Sequence, residues 1–483
     1  MRVLFVASEC SPFAKVGGLG DVVGSLPKAL KELGVDVRIC LPKYQIIDLK
    51  KYRFELISRE VPVKNEKVNL YKGFLPESEV ILYLLENEKY FGENGVYHNL
   101  FSFKGIQRFL FFSQAVLEIF SNFKWSPQII HCNEWHTAIL PVLAKLQVKN
   151  LKYAPYRNKV SGAGFKVKSL LTIHNLSNQG KWNEKEIFNF LSLKGNEMES
   201  LRIRDKDSDF NILQQGILNA DLLNTVSPTY AKEILIKEYG EGLEDSLLRR
   251  KKELFGILNG IDKKKLNPET DLELKTNYSL KNLDRKIENK IHLQEILNFE
   301  KNPEIPLLAF IGRLDLQKGV DLIIEIIPEL IKLGCQLLIL GVGSPEYEKK
   351  LLEFSQKYPQ NILAQIKFDS VLAQKIYGGA DIILIPSKFE PCGLVQMIAM
   401  RYGTIPVARK TGGLVDTIED REIGFLFKEY QGEAFLKTIK KVLNLYQAKE
   451  EWQKLIREAM KKDFSWQKSA KEYLKLYKIL TLD

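Results

Sequence analysis

The sequence is short of cysteine. It has five, at positions 10, 40, 132, 335 and 392, too scattered for a disulfide framework and with no Cys-x-x-Cys pair. That usage fits a reducing cytoplasm. Long apolar runs are also missing: a spanning helix needs about 18 uncharged apolar residues, and even Phe109–Phe120 is interrupted by Ser113, Gln114 and Glu118. No membrane crossing or membrane partner is expected. The N-terminus has one basic residue, a short apolar run and then Glu9, which is a poor signal peptide and reads as a first β-strand. Solenoid periods and low-complexity tracts are absent too.

What is present describes a globular chain. At 483 residues, 45% hydrophobic, 10% aromatic and 27% charged, it should hold two or three domains of roughly 100–200 residues each. Disorder and fibrous architectures are excluded. Lys and Arg number 71 against 60 Asp and Glu, a surplus of +11, which invites an anionic partner: nucleic acid, an anionic membrane or a phosphorylated substrate.

The first half alternates elements. A strand at Val3–Ala7 leads through a glycine-bearing loop to a helical pattern carrying Val22, Val23, Leu26, Leu30 and Leu33, then to a strand at Val37–Leu41. That is a βαβ unit. Further apolar runs at Val80–Leu85, Gln128–His131 and Leu170–Ile173 favour an open, mostly parallel sheet. The second half repeats the logic at Pro306–Ile311, Gln336–Leu340, Asn361–Ile366, Asp381–Ile385 and Thr404–Ala408, which predicts another doubly wound domain. Lys263–Asn302, charged and bounded by Pro268 and Pro303, reads as lying between the halves, with the hinge near its start. The amphipathic tail, with Tyr473, Leu474, Leu476 and Tyr477, is expected to pack back on the first domain.

One internal echo stands out. Lys15-Val16-Gly17-Gly18-Leu19-Gly20-Asp21 resembles Lys410-Thr411-Gly412-Gly413-Leu414-Val415-Asp416, each following an apolar run and opening a helical pattern. A glycine pair there either lets backbone N–H groups approach an anion or supplies a tight turn with positive φ. In the second half, Arg313 and Lys318 lie five residues apart on the loop after the strand Pro306–Ile311, which is either a solvated turn or a place where both converge on a diphosphate. The loop Pro386–Leu394 offers Glu390 to sugar hydroxyls and, around Cys392, the N–H groups of Gly393 and Leu394 to phosphate. His174 and Asn175 end a strand at the edge where ligands bind, although a lone histidine after a strand is more often structural, and Asn259 sits in a turn at the hinge from which it can reach a ligand. The cluster His131-Cys132-Asn133-Glu134-Trp135-His136 offers metal ligands only superficially: adjacent strand residues point to opposite faces, and no second Cys/His pair lies nearby.

Eight ordered motifs span the chain: KVGGLGD at 15–21, HCNEWH at 131–136, TIHN at 172–175, TVSPTYAKEI at 225–234, GILNGID at 256–262, GRLDLQKG at 312–319, PSKFEPCGL at 386–394 and KTGGLVDT at 410–417. Together they resemble the bacterial glycogen synthase and plant starch synthase family. The resemblance implies a GT-B fold, α/β with two Rossmann-like domains across a deep cleft. Residues 1–257 would form the acceptor-side domain, 258–463 the donor-side domain, and a helix within 464–483 would return to the first. It further implies a cytoplasmic retaining transferase moving glucose from ADP-glucose to the non-reducing 4-hydroxyl of an α-1,4-glucan, with no metal and no cofactor.

Carried over residue by residue, Arg313 and Lys318 would neutralise the departing diphosphate, Glu390 would hold glucose hydroxyls, and His174 would face the reacting sugar. Lys15, Gly17, Gly18, Asp21, Asn259, Cys392, Gly393, Leu394, Gly412 and Gly413 would surround the donor, and Phe368 would stack on its base. Three positions depart from the family pattern: Glu134 stands where Asp is usual, keeping the charge on a longer arm; Val395 replaces Thr; Phe368 replaces Tyr, preserving the π-face. Lys152–Lys168, lysine-rich, reads as a flexible surface loop longer than the family norm.

The alternatives are a UDP-glucose-dependent synthase, a relative with a small acceptor, or a non-catalytic polyanion or glucan binder. A nucleic-acid partner is disfavoured because the lysines are dispersed and no helix-turn-helix, zinc or RNA-recognition signature appears.

Overall fold

The computed structural model describes residues 1–93, 95–99, 102–149, 167–201 and 209–482. Most of the segment 152–168 therefore lies outside the described residues. The chain divides into two compact units, the first made of Met1–Val226, Ala231–Ile257 and Trp466–Asp483, the second of Ser227–Tyr230 and Leu258–Ser465.

The first unit holds a nine-stranded sheet. From one edge its strands run Leu254–Gly256, Leu222–Thr225, Lys168–Ile173, Ile129–Asn133, Arg2–Val6, Asp36–Pro42, Ile81–Glu86, Glu66–Phe74 and Glu55–Val63. The first seven are parallel, with Val3 opposite both Val37 and Ile129. The last two form an antiparallel hairpin that the sequence reading did not name. Glu55–Val63 is exposed or half-buried at nearly every position, so it carries no apolar run to announce a strand. The helix Gly18–Glu32 buries Leu19, Val22, Val23, Leu26 and Leu30 on one face, the stripe its sequence spacing predicts.

The C-terminal helix Trp466–Thr481 belongs to this unit. Its Tyr473 hydroxyl accepts from Asn224 Nδ2 at 3.0 Å, and its Tyr477 hydroxyl meets His131 Nδ1 at 2.7 Å. The other nitrogen of His131 meets Thr172 Oγ1 at 2.5 Å, which in turn donates to Asn224 Oδ1. Three adjacent parallel strands and the last helix are thus tied by one buried polar chain, every link of which is satisfied. Burial holds the His131 imidazole well below its usual range, hence neutral.

The second unit has a six-stranded sheet, parallel throughout, in the order Ile362–Ile366, Gln336–Gly341, Leu307–Ile311, Ile382–Ile385, Ile405–Arg409, Phe425–Phe427. Strands buried on both faces read as apolar runs, which is why all but the shortest were visible in the sequence.

One expectation is corrected. The charged stretch 263–302 is part of the second unit's body, not a connector between halves: Leu274, Tyr278, Leu283, Leu293, Leu297 and Phe299 join its core. Two of its lysines are buried there with partners. Lys286 donates to the carbonyls of Tyr377 and Gly378 and to Thr404 Oγ1, and burial pushes its ammonium down to about 7. Lys290 pairs with Asp381 at 2.7 Å. Charge content misled because these lysines cap a helix end and pair an acid inside the unit.

Candidate functional site

In open parallel sheets, ligands bind outside the carboxyl ends of the strands where the strand order reverses. In the first unit Arg2–Val6 has Asp36–Pro42 on one side and Ile129–Asn133 on the other. In the second, Leu307–Ile311 lies between Gln336–Gly341 and Ile382–Ile385. The reversal points therefore sit over the loops at 7–17 and 134–139 in one unit, and 312–319 and 386–394 in the other.

In the second unit the structure brings Lys318 and Glu390 together: Nζ lies 2.6 Å from Oε2, and Ser387 Oγ donates to the same oxygen at 3.0 Å. Glu390 is only 6% exposed, so the lysine answers a nearly desolvated charge. The loops carrying them interlock. Lys388 N–H donates to Gln317 O at 2.8 Å, and Gly319, at φ +73°, has its α-carbon against the Pro386 carbonyl, where a Cβ would collide. Arg313 is held differently: it is 60% exposed and pairs with Asp315 at 2.7 Å and with Gln317 Oε1 at 2.8 Å.

The Gly412-Gly413 turn packs on the same loop. Gly413 N–H donates to Glu390 O at 3.0 Å, and a Cβ on Gly413 would meet the backbone of Cys392. Gly393, at φ +73°, precedes Leu394, which caps the helix Val395–Arg401. Cys392 is buried, its thiol pushed up to about 12 by burial, and accepts from the Asn259 backbone N–H. The Asn259 side-chain oxygen is buried with no hydrogen-bond partner among the described residues, a polar atom that calls for a ligand or water. Phe368, just beyond the strand Ile362–Ile366, is 82% exposed.

In the first unit Lys15 and Asp21, named separately from the sequence, pair with each other at 2.7 Å. Gly17 and Gly18 are exposed; neither has positive φ, and a Cβ on Gly18 would meet nothing. His174 Nε2 lies 3.1 Å from Asn133 Oδ1, and burial pushes the imidazole down to about 3, so it is a neutral ring.

Glu134 corrects a second expectation. It does not simply carry a charge on a longer arm: its carboxyl is buried, and burial pushes it up to about 8 against the opposing pull of backbone N–H groups. Its Oε1 accepts from the N–H groups of His174 and, at 2.8 Å, Asn175. Its side chain therefore fixes the end of the His174 strand. Of the superficial metal set, His131 spends both nitrogens on the helix network, and among the described residues no group of three or more His, Cys, Asp or Glu side chains is placed to hold a metal.

Sequence reasoning missed Glu9. It lies three residues beyond the first strand, is 2% exposed, and accepts from the N–H groups of Val16 and Gly17 at 2.7 and 2.8 Å. A lone acid directly after the first strand of a βαβ unit was the available signal.

Comparison with known proteins identifies the family. Residues 2–249 match the family model described as starch synthase catalytic domain, and residues 294–462 match glycosyl transferases group 1. Glycogen synthase of Thermotoga petrophila is 42% identical over 495 residues, covering 99% of this chain and 98% of its own. Glycogen synthase of Lactobacillus acidophilus is 42% identical over 488 residues, covering 99% of each. The catalytic domain of starch synthase IV from Arabidopsis thaliana, solved bound to ADP and acarbose, superposes with a TM-score of 0.89 at 33% identity, covering 100% of this chain and 99% of that one. Sucrose-phosphate synthase from Thermosynechococcus elongatus, at 18% identity and a TM-score of 0.62, shares the fold alone. The chain belongs to the glycogen synthase and starch synthase family, and is a GT-B glucosyltransferase of glycogen or starch synthesis.

Proposed function

We propose that the enzyme moves glucose from ADP-glucose to the non-reducing 4-hydroxyl of an α-1,4-glucan, with retention at the anomeric carbon and without metal or cofactor. The observation that carries the site assignment is the ion pair of Lys318 with nearly buried Glu390 beside the strand-order reversal of the second unit.

As the C1–O bond to the diphosphate breaks, negative charge grows on the leaving oxygens, and fixed cations aimed there lower the barrier. Arg313 and Lys318 supply them, and both Arg313 and its partner Asp315 are accessible to solvent, so Arg313 can exchange partners. Glu390 accepts from glucose hydroxyls while holding Lys318 in place. Asn259, with its unpartnered oxygen, Cys392, Gly393, Leu394, Gly412 and Gly413 line the donor, and Phe368 offers an open aromatic face to adenine. In the first unit Lys15 contacts the donor, Gly17 and Gly18 lie against the diphosphate and sugar, and Asp21, paired with Lys15, stands near the donor. The neutral ring and the backbone carbonyl of His174 face the positive charge developing at C1. The acceptor hydroxyl attacks from the side the diphosphate leaves, forming the C1–O4 bond, and its proton passes to the departing phosphate oxygen. No protein nucleophile is required.

The preference for ADP-glucose draws on the starch synthase solved with ADP; UDP-glucose is the alternative, since stacking accepts either base. Incubating the protein with glycogen and labelled ADP-glucose or UDP-glucose, with chelator, should put label into polymer from ADP-glucose at the higher kcat/KM. Incorporation from UDP-glucose alone would reverse the donor assignment, and none from either would sink the reaction.

A further inference from the structure

We infer that Glu9 is the positioning residue that fixes the shape of the loop Lys15–Gly18, resting on the reading of that loop as part of the donor site. The loop has little packing of its own. Val16 is 60% exposed, Gly17 and Gly18 are exposed, and a Cβ on Gly17 would have only Glu9 Oε1, at 3.9 Å, within reach. A chain segment without side-chain contacts keeps one conformation only if its backbone groups are held.

Glu9 does the holding from beneath. Its Oε2 accepts both the Val16 and the Gly17 N–H, a charge-assisted pair, while Oε1 accepts from the Tyr97 hydroxyl. Tyr97 is fixed in turn: its ring stacks on His136 with centroids 5.0 Å apart and an interplanar angle of 20°, and His136 meets Phe109 edge-on at 4.5 Å. Burial pushes the His136 imidazole down to about 3, so the second histidine of HCNEWH serves as a neutral stacking plate. Gly20 completes the arrangement, because a Cβ there would crowd Lys15 Cγ at 3.0 Å and Glu9 Oε2 at 3.2 Å. On the solvent side the Lys15–Asp21 pair closes the loop. The consequence is specific: the Gly17 N–H is committed to the protein, so Gly17 contributes its lack of a side chain, not a donor.

The test compares Glu9→Gln, which keeps an oxygen able to accept from both N–H groups, with Glu9→Leu, of similar size but with no acceptor. Steady-state kinetics should show Glu9→Gln within about threefold of the unsubstituted enzyme, and Glu9→Leu with a donor KM raised about tenfold or more, as expected for losing hydrogen bonds to a charged group. The KM for glycogen should stay within about twofold in both. Equal donor KM in the two variants, or equal loss toward donor and glycogen, overturns the inference. Should Glu9→Leu not fold, Tyr97→Phe carries the test: it removes one bond to Glu9, and an unchanged donor KM overturns the inference. Lys15→Ala separates the two levels. If it leaves donor kinetics unchanged, the loop is not at the donor and the underlying reading falls with the inference; if it impairs the donor while Glu9→Leu does not, only the role of Glu9 falls.

Discussion

The two Gly-Gly-Leu turns look alike in sequence and answer different physical demands. At Gly412-Gly413 the glycines are buried, Gly412 takes φ +45°, and Gly413 has no room for a Cβ against the Cys392 backbone. That turn is a packing device that presses the 386–394 loop, and with it Glu390, into place. At Gly17-Gly18 the backbone is ordinary, and added side-chain atoms would meet little or no protein. There the absent side chains leave open space, which is what a ligand needs. Glycine that packing demands and glycine that leaves open space beside the backbone are the same letter in a sequence.

The sharpest way to stress this contrast is through the lysine near each turn. Lys318→Ala removes a cation and strands Glu390 in a nearly desolvated site. Transfer should fall by about 10²–10³, roughly 2.7–4 kcal/mol of transition-state stabilisation. Lys15 is 39% exposed and already shares its charge with Asp21, so Lys15→Ala should cost only about tenfold in kcat/KM for the donor, as befits a screened surface charge. Parallel steady-state assays read both; equal losses would erase the difference drawn between the two sites.

Next come the glycines themselves. Gly413→Ala forces the turn off the Cys392 backbone and should lower stability by about 1–3 kcal/mol in denaturant unfolding. Gly18→Ala, at the first position of a helix and facing open space, should change stability by no more than about 0.5 kcal/mol while still reducing donor kcat/KM. A stable, fully active Gly18→Ala enzyme would mean the space is not used by substrate.

Much of this was legible beforehand, for reasons that also explain the misses. Strands such as Leu307–Ile311 and Ile382–Ile385 are buried on both faces and spell themselves out as apolar runs, and topology alone makes the loops at their carboxyl ends the candidate site. Lys318 and Glu390 were singled out because each stands in a glycine- or proline-marked loop. The hairpin Glu55–Phe74 escaped because much of it is solvated. Glu9 escaped because its work is done on backbone N–H groups, which every residue but proline possesses and no sequence pattern displays. The burial of Glu134 was equally invisible, since a glutamate reads as solvated until its neighbours are known.

The buried acids extend the comparison between units. Glu390 has Lys318 beside it, whereas Glu134 has backbone N–H groups and the nearby charge of Glu9, and burial lifts its carboxyl from 4.5 to about 8. Because the folded value is the higher one, the folded protein holds a proton that the unfolded chain has released, and stability contributed by this group is present at low pH and lost as pH rises from about 4.5 through about 8. Glu134→Gln removes the titration but keeps an oxygen for the His174 and Asn175 N–H groups. Its melting temperature relative to the unsubstituted protein should therefore climb by several degrees between pH 5 and pH 8.5. A flat difference across that range would place the Glu134 carboxyl near its ordinary value.

The smallest effect belongs to Phe368, where the second unit exposes an aromatic ring at 82%. An exposed side chain in a loop contributes little to folding, so Phe368→Ala should leave the unfolding midpoint unchanged. If the ring is the platform for adenine, removing it costs stacking of about 1 kcal/mol, the low end of base–aromatic contacts, and donor KM should rise about fivefold at constant kcat. Phe368→Tyr restores the π-face and adds only a hydroxyl, so its donor KM should lie within about twofold of the unsubstituted enzyme. Loss of kcat without a change in donor KM would assign the ring to the chemistry in place of the base. No change in either would mean that the donor base does not stack on this ring.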